Sequence, residues 1–394
     1  MRKFIHFIVK FLKWLFIVII SLLLIGVIIL YITDNQYVLK GIKDVYFKGR
    51  TTASITDATD FSNNSIVDST FQPWQKAQEY NKIRLSNTLL HELKQYKTAA
   101  WVVIYKGKLF QEKYFNEYNE HSQTNSFSMA KSITTLLIGK AIEEGFIKNT
   151  NEPIIKYLPE FKNDSLAKYC KISDLTGMTS GYDWNEDYYF PIHHMAKAYY
   201  NDDVEEVIFN RKFIHKPGTL WKYQSGTTQI EGFVLQRAIK KPLATYLSEK
   251  FWKPLGMENP SLWSLDHKNG MEKSYCCIHS NAKDFAKLGQ LMLQNGNWNG
   301  KQLIDSTYIK WMKTPTKISD FHYGQTIWID MNYKYPHYMF KGHLGQYIIC
   351  VPKFNLVIVR LGEQRNRASY ISGDRYRPLE VSIFLDETIK NLPK

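Results

Sequence analysis

The chain has little cysteine, no dense run of basic residues and no internal repeat, and each absence narrows what it can be. Only four cysteines occur among 394 residues: Cys170, the adjacent Cys276 and Cys277, and Cys350. They are too widely spaced for a disulfide framework in a large domain, and no Cys-x-x-Cys spacing offers a metal site. The expectation is small buried residues with at most one bridge. The formal charge is +14, yet the basic residues are scattered singly among Tyr, Asn and acidic residues, so no nucleic-acid partner is expected. The lack of a repeat argues against a solenoid or propeller.

What is present is bulk and one long apolar run. A length of 394 residues with 44% hydrophobic content predicts one large domain or two closely packed ones. Residues 14–33 carry no charge and would span roughly 30 Å as a helix, a bilayer length. Arg2, Lys3, Lys10 and Lys13 precede the run and Asp34 closes it. The positive-inside rule then puts residues 1–13 in the cytoplasm, 14–33 across the membrane as a single anchor, and the rest in the periplasm or outside. A cleaved signal peptide is the competing reading, but it requires a small-x-small site, and residues 29–33 supply none.

Residues 34–75 are rich in Asp, Asn, Ser and Thr with little periodicity and read as a tether. A helix-like stretch follows over 74–97, then two β-rich runs, 98–105 and 109–114, around Lys106-Gly107-Lys108, which predict a hairpin. A helix after Ser128 is expected to stop at Gly145. Residues 151–279 read as short helices and long loops, and a clean helix is expected from Ser280 to Gly296. Strand-like runs at 325–331, 347–351 and 356–361 and a helix over 379–391 close the chain. The implied fold is α+β: an antiparallel sheet from about 76–150 and 280–390, flanked by helices, with a mainly helical region inserted between.

Three stretches carry chemistry. In Ser128-Met129-Ala130-Lys131 the spacing puts both side chains on one helix face, and the following residues are apolar nearly all round, so Lys131 is carried into the interior. Burial lowers a lysine pKa and fits it to take a serine proton. Ser-x-x-Lys occurs twice more: Ser165/Lys168, in a polar surface stretch, and Ser280/Lys283, where Ser280 is explained as a helix cap. The second stretch, Pro217 to Gly226, holds Tyr223 and Ser225 between Pro-Gly and Ser-Gly, a fixed loop aiming a phenol whose pKa a nearby cation would lower. Tyr246/Ser248 and Tyr370/Ser372 repeat the spelling as packed aromatics. The third, Lys341-Gly342-His343-Leu344-Gly345-Gln346, opens a strand with glycines that let substrate run alongside and a backbone N–H face a developing oxyanion.

In this order, these stretches resemble the serine β-lactamase and penicillin-binding-like hydrolases, in particular the branch of class C β-lactamases, esterases and 6-aminohexanoate-dimer hydrolases. The resemblance extends over roughly 85–390 through Asp174 to Gly181, Pro217-Gly218-Thr219, Trp252 to Met257 and Asn297 to Lys301. It implies a β-lactamase/transpeptidase-like fold, a covalent acyl-enzyme, and no metal or cofactor. It also implies Ser128 as nucleophile, Lys131 as base and Tyr223 as proton shuttle, with Ser225 and Gly342 at the substrate. The Ser128 N–H would supply half of the oxyanion hole. The other half falls to His343 by one alignment and to Gln346 by another, with His343 favoured. Asn185-Glu186-Asp187-Tyr188 resembles a nylon-hydrolase loop and makes Tyr188 a substrate-binding candidate. The family's Lys-Thr-Gly and Tyr-x-Asn are missing, which argues against antibiotic hydrolysis. The expected activity is cleavage of a small ester, amide or peptide-like substrate, amidase-like first, with esterase, β-lactamase or D-Ala carboxypeptidase behind. A non-catalytic cell-wall binder is the reading from another class.

Overall fold

The computed structural model describes residues 2–68, 70–188, 190–366 and 377–393. Helix α1 (Arg2–Ile32) opens the chain, followed by α2 (Tyr37–Asp44) and strand β1 (Asn63–Ile66). Next come α3 (Asn87–Gln95), β2 (Thr98–Tyr105), β3 (Lys108–Tyr114), the short β4 (Thr124–Asn125) and α4 (Met129–Glu143). The helical stretch holds α5 (Ile172–Thr176), α6 (His194–Tyr200), α7 (Val204–Phe209), α8 (Ser225–Ile239) and α9 (Leu243–Leu247). After it lie β5 (Ser261–Ser264), β6 (Ile278–Ser280), α10 (Ala282–Leu293), the paired β7 (Asn297–Trp298) and β8 (Lys301–Gln302), and α11 (Ser306–Met312). The last elements are β9 (Trp328–Asp330), β10 (His337–Gly342), β11 (Gln346–Val351), β12 (Leu356–Gly362) and α12 (Leu379–Lys390).

A six-stranded antiparallel sheet, in the order β3-β2-β12-β11-β10-β9, forms the frame. Its inner strands are apolar without interruption because both faces are covered, and the two-residue side-chain period of a strand sorts them. Trp101, Val103, Tyr347, Ile349 and Ile358 face Leu89 and Leu93 of α3 and Val381 and Phe384 of α12. Their neighbours Val102, Ile104, Ile348, Val357 and Val359 face the core that contains α4 and α10. Helix α10 lies so close to the sheet that a Cβ on Gly289 would stand 2.7 Å from both Ile348 and Val357. A second, four-stranded sheet, β1-β5-β6-β4, leads into α4.

Several expectations need correction. Helix α1 is 31 residues long and includes the basic stretch before the apolar run; it is long and apolar enough to cross a membrane and buries none of its residues. Residues 34–75 are no tether. They contain α2, which packs on α6, and β1, which pairs with β5, and they bury Tyr37, Ile55, Asp57 and Ile66. Weak periodicity hid them because each piece is short and completes its burial against distant partners.

The helix read over 74–97 is confined to Asn87–Gln95, where Ser86 caps its start by accepting from the Leu89 N–H. Ser280 is not a cap either. It ends β6, buried, with the Ser261 hydroxyl donating to its own, and Asn281 caps α10. Gly342 does not open a strand but closes β10, which the sequence reading missed, and His343–Gly345 form a tight turn before β11. Helix α4 runs as expected, buried along most of its length and ended by Gly145 at φ +79°. Tyr246 and Ser248 are packed as expected, whereas Tyr370 and Ser372 lie outside the described residues. Replacing Gly289→Val should destabilise the domain by about 1–3 kcal/mol through overpacking between α10 and the sheet, read by chemical denaturation.

Candidate active site

The turn before α4 is fixed from several sides. The Asn125 N–H donates to Ile55 O at 2.8 Å and the Ser126 N–H to Ile278 O at 2.7 Å. Phe127 then adopts φ +44°, a left-handed conformation that disfavours a bulky side chain. Its N–H donates to Asn125 Oδ1 at 2.8 Å. The Asn125 amide donates in turn to Asp57 Oδ1 at 2.9 Å, and the Tyr199 hydroxyl to Asp57 Oδ2 at 2.6 Å. Gly342 closes on the same turn, where a Cβ would stand 2.3 Å from Ser126 O, so no larger residue fits without movement. Ser128 sits at the N-cap of α4 but makes no side-chain capping bond, which leaves its hydroxyl free for other work.

That hydroxyl accepts from Lys131 Nζ at 2.9 Å. The same amine donates to Ser225 Oγ at 2.9 Å and to Tyr275 O at 3.0 Å. Lys131 is 1% exposed, and burial pulls its pKa down to about 8 against the raising influence of Glu186 and Glu231. Glu231 is itself pushed up to about 8 by burial, with Thr135 donating to it at 2.7 Å.

Tyr223 lies beside Ser128, and Lys131 Nζ lies 5.1 Å from its ring centroid. The expected lowering of the Tyr223 pKa does not occur: burial, with the Glu186 charge, raises it well above the usual phenol range. The aromatic wall of Trp328 at 5.3 Å and Tyr323 at 6.2 Å excludes the water that would have solvated a phenolate.

The structure brings the other candidates to different depths. Ser225 opens α8 and joins the cluster directly, its hydroxyl accepting from Lys131 and donating to Glu186 Oε1 at 2.5 Å. Tyr188 stacks on His343 with ring centroids 5.0 Å apart, and both line the cleft beside Ser128. Gln346 does not reach the cleft surface with its side chain. The amide donates to His343 O at 3.0 Å and Gly362 O at 2.7 Å and accepts from the Gly362 N–H at 3.0 Å, locking the turn to β12. Ser165 and Lys168 are exposed and apart from the cleft lining, as expected of a surface pair.

Glu186 is the residue that sequence reasoning missed. It accepts the Ser225 N–H at 2.7 Å and its hydroxyl, the Tyr188 hydroxyl at 2.5 Å and the Trp184 indole at 2.8 Å. A carboxylate at the first N–H of α8 is where the helix dipole favours negative charge. Its signal was its place two residues before Tyr188, in a loop read only for the tyrosine.

The cysteines divide as Cys276–Cys277, disulfide-bonded directly after Tyr275, and Cys170 and Cys350, both buried thiols. Among the described residues, one group of His and carboxylates is close enough to share an ion: Glu120, His121 and Glu258. Lys283 pairs with both of those carboxylates, and none of the three lines the Ser128 cleft.

A helical region inserted in an antiparallel sheet, with a Ser-x-x-Lys pair at the junction whose lysine is buried, is the arrangement of the serine hydrolases of β-lactamase fold. The beta-lactamase family profile matches residues 87–381, and the chain belongs to that family. Among curated proteins it is similar to Protein flp of Staphylococcus aureus (strain NCTC 8325 / PS 47), 25% identical over 185 residues, which are 43% of this chain and 36% of that protein. The chain therefore spans about a third of that relative's length. Among solved structures it is similar to a Bacillus anthracis protein assigned as a 6-aminohexanoate-dimer hydrolase (TM-score 0.72, 22% identity, 86% of this chain and 94% of that one). It is also similar to a family VIII carboxylesterase (TM-score 0.60, 16% identity, 81% and 99%). At these identities the structural likeness shows the fold.

Asp57→Ala removes the acceptor that holds both Asn125 and Tyr199. It should cost about 1–3 kcal/mol by leaving buried donors unpaired, measured by denaturant titration.

Proposed function

We propose that the chain is a membrane-anchored serine hydrolase that cleaves an ester or amide through an acyl-enzyme on Ser128. The observation that carries the reading is the Lys131 amine, buried and placed 2.9 Å from the Ser128 hydroxyl. A lysine with a pKa near 8 is neutral in about a tenth of molecules at pH 7, enough to act as general base. Ser128 Oγ attacks the carbonyl carbon as its proton passes to Lys131. The intermediate collapses with the leaving alcohol or amine taking a proton from the Tyr223 hydroxyl, which regains one from the Lys131 ammonium. Water then attacks the acyl-enzyme and frees the acid and Ser128. The raised pKa of Tyr223 keeps it protonated and suits it to donate.

The Ser128 N–H and, at the cleft, the His343 N–H are the proposed oxyanion donors, each worth on the order of 10²–10³-fold in rate. Tyr188, on the His343 ring, is the proposed contact to the scissile group. This favours the amidase reading, in keeping with the dimer-hydrolase neighbour; the carboxylesterase neighbour keeps ester cleavage next. A non-catalytic binder has no use for a nucleophile with its base in place. Helix α1 is proposed as the anchor, with its basic amino-terminal end inside and the domain on the far side of the membrane.

Two outcomes test the reading. A fluorophosphonate probe should label the wild type and Ser165→Ala and Ser280→Ala, but not Ser128→Ala; an unlabelled wild type would overturn the assignment. Because the neutral form of Lys131 is the active one, kcat/KM should rise about tenfold per pH unit below about 8 and level off above it. No alkaline fall from Tyr223 should intervene, and a profile flat from pH 6 to 9 would rule out Lys131 as the base.

A further inference from the structure

The cleft over Ser128 is walled on one side by the segment that follows the apolar helix. Tyr37, Val38, Ile42 and Val45, on and just after α2, line the same cleft of about 170 Å³ as Ser128, Ser225 and His343. Phe190 and Met195 face them from the loop and helix that α2 packs on. Ser128, Ser225 and His343 line it together with the apolar side chains of Val38, Ile42 and Val45. Among the described residues, no lysine, arginine, aspartate or glutamate lines the cleft. Beside Val38 and Ile42 a substrate carboxylate would lose its hydration without gaining a charged partner among the described lining residues.

The position of this wall in the chain matters as much as its chemistry. α1 ends at Ile32 and α2 begins at Tyr37, so the apolar wall of the cleft is built within a few residues of the bilayer-length helix. Exposed apolar side chains cluster on the same elements: Tyr46 and Phe47 after α2, Phe190 and Ile192 beside the cleft, with Phe47 83% exposed. Large aromatic side chains exposed together mark a surface that meets something apolar.

We infer that the substrate is an amphiphile of the membrane, an uncharged ester or amide whose alkyl chain lies along the Val38/Ile42 wall while its carbonyl sits at Ser128. This rests on the serine-hydrolase reading above and adds the substrate class. Hydrolysis consumes one water, splits the ester or amide and leaves a carboxylic acid and an alcohol or amine.

The test uses the full chain in phosphatidylcholine vesicles and p-nitrophenyl esters from acetyl to dodecanoyl. kcat/KM should rise at least about tenfold from acetyl to octanoyl as methylenes are buried. Ile42→Asp should bring the octanoyl-to-acetyl ratio close to one, with its fluorophosphonate labelling reporting that the site is folded. A wild-type ratio near one would overturn the alkyl-chain assignment. A labelled Ile42→Asp that keeps the wild-type ratio would overturn the α2 wall. A second arm offers a fluorogenic palmitoyl ester either in the vesicles that hold the protein or in protein-free vesicles mixed with them. Faster hydrolysis in the protein's own vesicles supports delivery from the membrane, and equal rates overturn it. A wild type that neither labels nor hydrolyses any ester would strike the serine-hydrolase reading itself, which keeps the two failures apart.

Discussion

The site depends on holding one amine where its charge is poorly tolerated. An unpaired buried ammonium costs several kcal/mol, so Lys131 is sustainable only because three acceptors converge on it. They come from separate parts of the chain: Ser128 from the start of α4, Ser225 from the start of α8, and the Tyr275 carbonyl from the segment before β6. Each acceptor is therefore a constraint on the fold. The two helices must cross with their amino-terminal ends together, and the second sheet must bring its strand alongside. The same burial that makes the geometry demanding pulls the amine toward a usable pKa.

The second constraint is the turn that presents Ser128. A bulky residue at positive φ costs on the order of 1–3 kcal/mol and persists only when its surroundings over-determine it. Phe127 meets that condition through Asn125, which is held by Asp57 and thus by residues far upstream. The segment between the apolar helix and the hydrolase domain is consequently part of the site's support. It braces the Ser128 turn from behind through Asp57 and walls the cleft in front through α2. One polypeptide stretch reaches both sides because β1, between them and the rest of the chain, is fixed in the small sheet.

Features with strong local periodicity or unusual composition were legible in the sequence. The strands β2, β3, β11 and β12, α4, the apolar helix and the Ser128/Lys131 pair all carry their signals within a few adjacent residues. Features created by long-range partnership were not. Asp57 reads as one of many polar residues until Tyr199 and Asn125 are seen on either side of it. Glu186 is one acid in a mixed loop until α8 places its first N–H against the carboxylate. Ser280 was misread because Ser and Asn adjoin at a helix start, and only the register of β6 shows that Asn281 holds the cap. β10 was missed because the short run from His337 is broken by no turn residue and precedes the more conspicuous glycines.

The misjudged direction of the Tyr223 pKa is informative about how charge is divided in the site. Proximity to Lys131 suggested a lowered phenol, but a buried amine that is itself easily neutralised is a weak electrostatic partner. Glu186 acts in the opposite sense. Its carboxylate accepts hydrogen bonds from Ser225, Tyr188 and Trp184. It makes ionisation of Tyr223 unfavourable while only partly offsetting the desolvation of Lys131. Glu231, its own pKa raised by burial, acts on Lys131 in the same sense as Glu186. Burial thus separates the two groups within a single cluster, lowering the lysine and raising the tyrosine, while Glu186 adds to the second effect and offsets part of the first. In the proposed mechanism this is the separation of base from acid that acylation requires.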